Sequence, residues 1–463
     1  MRRSLAWLAL TSTALLTACA TGPAALAPQV PASATGAFVG AADAAVLNAG
    51  PPPNWWRLFD DPVLDAHVAR ALAANTDLRV AIANLEASRA AARQADAVRL
   101  PATVIESGAG PNRADTQPST SSVLKTSYEL GATVAFEVDL FGRLRSAAQA
   151  AKADAAASLA ARDAARVTVA ADTVAAYLDL CGANANARLA RTLADAQQRS
   201  YDLVAGQLRA GEVSPLELAQ AGLLRDQAAA TLPGFEADRR RALFRLATLE
   251  GMPPRDSATF GASCTSAPRI ATPLPAGDGA ALIGRRPDIR EAEGKLAAAT
   301  ARIRVARADL YPRIQLAGSG GLIGGGSDAI LTPLITWAFP NRSAIHARIA
   351  GARGGADAAM AAWDGVMLRA LREVETALSD YRAENERRRA LAAAMAESER
   401  VVRRAQSRHR LGADSYLVVI DAERSRNAAA TQLLASDLGL AQTQVSLFRA
   451  LGGGWEPAGS AQP

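Results

Sequence analysis

The spacing of apolar positions changes several times along the chain, and each change predicts an element. Apolar residues recur at helical intervals from Pro62 to Ala74 and again from Asp77 to Leu100. Asn75 caps the first of these helices, and Pro101 stops the second because proline lacks the N–H that a helix needs. Beyond Pro101 the period falls to two. Leu124, Tyr128, Leu130, Ala132, Val134, Phe136, Val138 and Leu140 share one side, and Lys125, Ser127, Glu129, Gly131, Thr133, Glu137 and Asp139 the other. This predicts a long strand with one apolar face. Thr103 to Ser107 is its weaker partner, joined through a loop from Gly110 to Ser122, so a β-hairpin covers about 102–140. At Leu140-Phe141-Gly142-Arg143 the helical period returns. No proline then occurs before Arg209, and a helix of that length would span about 100 Å at about 1.5 Å per residue. Leu189, Leu193, Ala196 and Leu203 keep heptad-like spacing along it.

That helix ends in a stretch that occurs twice. Arg209 to Ala221 returns as Arg410 to Ala422, matching without a gap at Arg, Gly, Ser, Leu and the final Ala. Gly211 and Gly412 suit the left-handed position that ends a helix, with Arg209 and Arg410 near its negative end. Ser214 and Ser415 read as N-caps of returning helices, and Pro215 fits a first helical position. Further upstream, Asp288-Ile289-Arg290 mirrors Asp77-Leu78-Arg79, Leu296 mirrors Leu85, Arg304 mirrors Arg93 and Pro312 mirrors Pro101. The chain is therefore one duplicated unit. The first repeat covers 54–252, with a long α-hairpin over about 142–251 and its tip at 209–215. A Pro/Ser/Thr-rich linker covers 253–278. The second repeat covers 279–452, with a β-hairpin over about 314–339 and a long α-hairpin over about 342–451 whose tip is 410–416. A short mobile tail, 453–463, is expected to follow.

Three departures from regularity stand out. The strands of the second half, Ile314 to Gly320 and Leu331 to Phe339, surround a glycine-rich run and contain Pro333. Both features weaken strands, so a stunted hairpin is expected. Pro233-Gly234 interrupts the first returning helix and predicts a kink. Phe339-Pro340-Asn341-Arg342 stands where the first half has Phe141-Gly142-Arg143, so the reversal there needs a different geometry.

Composition narrows the function. The 463 residues carry a net charge of +6, too mild and too evenly spread for a nucleic-acid partner. Three His and three Cys exclude a His/Cys metal cluster. No Gly-rich phosphate loop, Ser/His/Asp order or convergent acid pair occurs, so neither an enzyme nor a cofactor is expected. Arg2-Arg3 and the apolar run through Leu16 read as a secretory signal peptide, 1–18. It ends in Leu16-Thr17-Ala18-Cys19, which resembles the lipobox of bacterial lipoproteins, with Cys19 the lipidated first residue. Residues 19–53 are rich in Ala, Pro, Gly and Thr without a period and read as an extended or disordered tether. Trp55-Trp56 then marks the start of packed structure. Cys181 and Cys264 remain. An oxidising envelope favours their pairing as a disulfide, against two buried thiols.

The leader, Trp55-Trp56, Arg285-Arg286-Pro287-Asp288-Ile289-Arg290, Leu310-Tyr311-Pro312 and the duplicated tips occur in the order that resembles the lipoprotein branch of the TolC-like outer-membrane efflux factors. The resemblance covers about Trp55 to Gly452. It implies a mainly α fold with a small membrane β-barrel contribution: duplicated α-hairpins forming an α-helical barrel, and four strands per chain completing a twelve-stranded barrel in a homotrimer. Four strands alone cannot close a barrel, which needs about eight, and an open edge is not tolerated in lipid. The polar strand face (Lys125, Glu129, Glu137, Asp139) would line the lumen, and Tyr128, Leu130, Val134 and Phe136 would meet outer-membrane lipid. The implied function is the exit duct of a tripartite efflux pump, partnered by a periplasmic adaptor and an inner-membrane transporter of the RND type. The tips would project into the periplasm. Arg209, Gly211, Ser214, Arg410, Gly412 and Ser415 are candidate docking residues or simply caps. Asp421 stands where the family carries an aspartate at its constriction, with Gln220 its repeat equivalent and Asp414 nearby. Arg410 or Arg424, or bound cations, would compensate the charge of such a gate.

Two other readings compete. A lipidated periplasmic adaptor carries one hairpin flanked by β-rich domains, whereas this chain has two hairpins and few strands. A non-conducting coiled-coil scaffold leaves the amphipathic strand from Leu124 to Leu140 unexplained.

Overall fold

The computed structural model describes residues 28–42, 46–113, 124–259, 264–323 and 326–455. The expected signal peptide, 1–18, and Cys19 lie outside them. In chain order the elements are β1 (Val46–Leu47), α1 (Pro62–Ala74), α2 (Thr76–Ala97), β2 (Ala102–Arg113) and β3 (Leu124–Val138). The first long hairpin follows as α3 (Arg143–Arg209) and α4 (Pro215–Leu249). Then come β4 (Leu274–Pro275), α5 (Gly279–Arg285), α6 (Pro287–Ala308), β5 (Arg313–Ile323) and β6 (Gly326–Thr336). The second long hairpin is α7 (Ser343–Arg410) and α8 (Tyr416–Ala450). The chain divides into two compact units, one built from 83–160 and 289–366, the other from 30–82, 161–288 and 367 onward.

The first unit contains a four-stranded antiparallel sheet in the order β2-β3-β5-β6. Alternate residues of a strand point to opposite faces, so the register assigns every position to a side. Ile105 with Ala132, Ser107 with Leu130, Leu130 with Leu322, Val134 with Gly318, Phe136 with Leu316, Gly318 with Leu331 and Ile314 with Ile335 are paired positions. One face is therefore apolar across all four strands. The other face carries Glu106, Thr133, Gln315, Ser319 and Thr332, with Val104, Ile330 and Leu334 between them.

The second hairpin is not stunted. β5 and β6 each run 11 residues, long enough for a membrane strand of about 9–11 residues. The glycines are accommodated because Gly321 lies so close to β3 that an added Cβ would meet the Leu130 carbonyl at 2.7 Å. Pro333 does not interrupt β6, which stays in register with β5 on both sides of the Leu316–Pro333 pair. The partner strand expected over Thr103–Ser107 continues to Arg113, since Gly110 to Arg113 pair with Ser127 to Leu124. β3 ends at Val138, before Asp139. The two reversals do differ: Gly142 has φ 73°, whereas the Phe339–Pro340 bond is cis.

The second unit is held by side chains that hydropathy alone does not single out. Trp55 is fully buried and stacks on Phe448 at 4.9 Å, so the paired tryptophans are core. Arg286, 8% exposed, donates Nη1 to the Ala450 carbonyl (2.6 Å) and its other nitrogens to Asp288 (2.9 and 2.7 Å) and Glu373 (2.8 Å). Arg285 donates twice to the Leu451 carbonyl, at 3.2 and 2.8 Å. The Arg-Arg-Pro-Asp run is thus a clamp on the carbonyl end of α8, where cations are favoured. His67 and Arg70 meet the buried Glu250 carboxylate at 2.5 and 2.6 Å.

Two expectations for this unit are corrected. The N-terminal segment from 30 to 50 is not a free tether: Phe38 is buried, Val39 and Gly40 donate their N–H groups to Glu375 (2.7 and 3.0 Å), and β1 pairs in parallel with β4. The start of the tail is not mobile. Gly452 to Gly454 are buried, and an added Cβ at Gly453 or Gly454 would meet Trp55 at 3.1 or 3.2 Å. α4 continues as one helix from Pro215 to Leu249 with Pro233 inside it.

Candidate functional sites: the sheet face and the hairpin tips

The apolar face of the sheet is exposed. Leu130, Leu322, Leu331, Ile335 and Ile105 are 53, 54, 76, 65 and 74% accessible. Where the strands turn into helices, aromatic rings gather: Phe141 stacks on Tyr311 (4.5 Å), and Trp337 stacks on Phe339 (5.1 Å) with the Arg342 guanidinium 5.3 Å from the Trp337 ring. An apolar band bordered by exposed aromatics is the surface that a bilayer and its headgroup layer require. Among the described residues, no helix is long and apolar enough to cross a membrane.

Two residues expected in the lumen do other work. Glu137 forms a two-point ion pair with Arg143 (2.9 and 2.5 Å), and Asp139 accepts from the N–H groups of Leu144 and Arg145 (3.1 and 2.8 Å). Both therefore build the strand-to-helix junction, one by pairing and one by capping two of the free amides at the start of α3. The side chains of Lys125, Tyr128 and Glu129 lie outside those described. Among the described residues there is no cluster of His, Cys, Asp and Glu fit to hold a metal.

The tips lie in the second unit and end as the glycine positions predict. Gly211 (φ 79°) donates to the Leu208 carbonyl and Glu212 to that of Gln207, at 3.0 and 2.9 Å. Gly412 (φ 69°) and Ala413 repeat this with His409 and Arg408, at 2.8 and 3.0 Å. These are paired Schellman closures. Ser214 and Glu217 form a capping box at the start of α4. Ser415 occupies the same place before α8, but its hydroxyl caps nothing. The reciprocal box needs Glu or Gln three residues on, and Val418 stands there. Arg209 and Arg410 each bond a carbonyl four residues back, at 3.2 and 3.4 Å. All six candidate docking residues are exposed.

Asp421 and Asp414 each have an arginine of their own beside them. Asp421 is 78% exposed at its side chain, with Arg424 at 4.0 Å. Asp414 is committed to Arg408 by two bonds, 2.5 and 2.8 Å. That guanidinium holds the Asp414 carboxyl below the usual carboxylate range, against the opposing effect of desolvation. Gln220 is half-buried, and its Oε1 has no donor among the described residues. The residue that joins the hairpins near the tips is one the repeat comparison passed over. Tyr416, 5% exposed, bonds Ser200 of α3 through its hydroxyl and packs beside Val204, Ala221, Val402 and Val419. Burial pushes its phenol above the usual range, offset in part by Ser200. The signal was available: Tyr416 stands opposite Pro215, where the two tip sequences diverge.

Above the tips, the sulfurs of Cys181 and Cys264 are at bonding distance, with Cα atoms 5.2 Å apart, inside the range a disulfide spans. Leu189 and Leu193, two of the heptad-spaced residues, line an open groove of about 410 Å³ shared by α3, α4 and α8. Leu203, a third, is 54% exposed.

Comparison with known proteins gives a consistent result. The family model described as outer membrane efflux protein matches residues 68–252 and 280–453. The toluene efflux pump outer membrane protein TtgF of Pseudomonas putida is 31% identical over 429 residues, covering 89% of this chain and 87% of the relative. Outer membrane protein OprJ of Pseudomonas aeruginosa is 32% identical over 417 residues, covering 87% and 86%. The solved outer-membrane channel OprN superposes with a TM-score of 0.86 at 33% identity, covering 94% of this chain and all of that one.

Proposed function

Because the chain belongs to the outer membrane efflux protein family, and is the outer-membrane component of an efflux pump, we propose that it acts as the passive exit duct of a tripartite assembly, as a homotrimer. One observation carries this reading. The sheet is apolar on one face and has two unpaired edges, β2 and β6. Such a sheet is stable in lipid only if its edges are joined. Pairing β6 of one copy with β2 of the next closes twelve strands from three copies, above the minimum of about eight. Native mass spectrometry of the detergent-solubilised protein is expected to show three copies. A monodisperse monomer with intact β-structure would overturn this.

Cys19 is proposed as the lipid anchor, its acyl chains adding hold on the outer membrane. The exposed tips are proposed to dock a periplasmic adaptor that links the duct to an inner-membrane RND transporter. The name of TtgF ties that relative to toluene, and small toxic organic compounds are the proposed cargo here.

Asp421 is proposed as the gate residue. Three copies around an axis would form a ring of carboxylates, each with Arg424 close enough to temper the repulsion. Asp421→Ala is expected to raise the resting single-channel current in planar bilayers and weaken cation preference. A current and selectivity equal to those of the parent protein would reduce Asp421 to a surface residue.

A further inference from the structure

We infer that residues 264–270 form a fulcrum: a strap fastened to α3 by the Cys181–Cys264 disulfide and to α8 by Gln444, fixing the two long hairpins together at one level while their tips part. The inference rests on the reading of the tips as a gate. Its first support is the attachment on each side. At α3 the strap is held by the disulfide, by Asn184 donating to the Cys264 carbonyl (3.1 Å) and by Arg188 donating to that of Thr265. At α8 the fully buried Gln444 accepts from the Ile270 N–H (3.0 Å) and donates to the Ile270 carbonyl (2.8 Å), taking the place of a neighbouring strand. Asp437 of α8 gathers Arg269 of the strap (2.9 Å) and Arg388 of α7 (2.5 Å), so the second hairpin is fastened through both of its helices.

The second support is level. Cys181 lies 28 residues before α3 ends at Arg209, and Gln444 lies 28 residues after α8 begins at Tyr416. Each arm from strap to tip is therefore about 40 Å long. Beside the strap α3 and α8 approach closely: a Cβ on Gly182 would meet the Leu438 side chain at 2.6 Å. Toward the tips they do not. The groove lined by Leu189, Leu193, Phe235, Asn427 and Thr431 opens between them. Near the tips they meet again, through Tyr416 with Ser200 and an apolar cluster that includes Val204, Leu224, Val402 and Ile420. A covalent fastening, a clearance and a releasable catch occur in that order along the same helices. Motion started at the catch is absorbed by the groove and stops at the strap.

Hydrogen–deuterium exchange on the full-length protein in nanodiscs tests this without relying on conduction. Releasing the catch with Tyr416→Phe is expected to raise exchange about tenfold in residues 416–432 and to leave 436–450 protected. Adding Cys181→Ser with Cys264→Ser is expected to carry the loss of protection into 436–450. Gln444→Met keeps the disulfide and is expected to have the same effect in part, which covers the case in which the thiol-free variant fails to fold. Exchange in 436–450 that responds to neither change, or two alkylatable thiols in the unreduced protein, would overturn the fulcrum. Single-channel current recorded on the same variants separates the two readings. Exchange that spreads as stated while the current stays at the parent level upholds the fulcrum and removes the gate.

Discussion

Leu331→Arg is expected to prevent stable insertion of the sheet, whereas Thr332→Arg, the next residue, is expected to leave it largely intact. Leu331 sits at the centre of β6, 76% exposed, and its paired position is Gly318, on the apolar face. Thr332 pairs with Ala317 on the other side of the same sheet. An arginine on the lipid side of a barrel costs about 2–4 kcal/mol near the bilayer midplane, while lumen positions remain hydrated. In a trimer each substitution acts three times in one cooperative unit. The loss at Leu331 would then approach or exceed the whole stability of about 5–15 kcal/mol that ordinary domains possess. The measurement is the fraction of folded trimer in outer-membrane extracts, read by heat-modifiable electrophoretic mobility. Equal losses for the two variants would mean that the face has been assigned wrongly.

Arg286→Ala is expected to destabilise the second unit by about 3 kcal/mol, and Arg286→Lys to restore little of it. The guanidinium is 8% exposed and joins three separate segments: the Ala450 carbonyl at the end of α8, Asp288 at the start of α6 and Glu373 on α7. Removing one partner of a buried ionic network is costly because the remaining groups lose both partner and water. Here Asp288 and Glu373 are 38% and 43% exposed and regain solvent, which keeps the estimate at the lower end of about 3–5 kcal/mol. A lysine ammonium is a point donor and cannot reproduce the planar fork that spans these acceptors. Denaturant unfolding of Arg286→Ala, Glu373→Ala and the pair would isolate the coupling. A single-variant loss under about 1 kcal/mol, the size of an ordinary surface ion pair, would show that the clamp is dispensable.

Much of the architecture was legible because its causes are local. Gly211 and Gly412 stop their helices for steric reasons contained in one residue. The alternation from Leu124 to Val138 assigns faces because the strand period is two, and the duplicated tips and Pro101/Pro312 spacing follow from a repeat visible by eye. Expectations failed where a local propensity met a tertiary position. The glycines and Pro333 weaken an isolated strand, yet β5 lies between two partners and β6 keeps its register with β5 through Pro333. Glu137 and Asp139 follow the polar half of the strand pattern, and the adjacent helix start, with its free amides and Arg143, supplies partners that the pattern does not reveal. Segments without any period were read as tether and tail, although Glu375, β4 and Trp55 bind them across hundreds of residues of sequence. The same holds for the contacts of Tyr416 and Gln444. A single side chain carries no trace of a partner that only the folded chain brings alongside it, whereas a period, a proline or a left-handed glycine acts on its own backbone before any partner arrives.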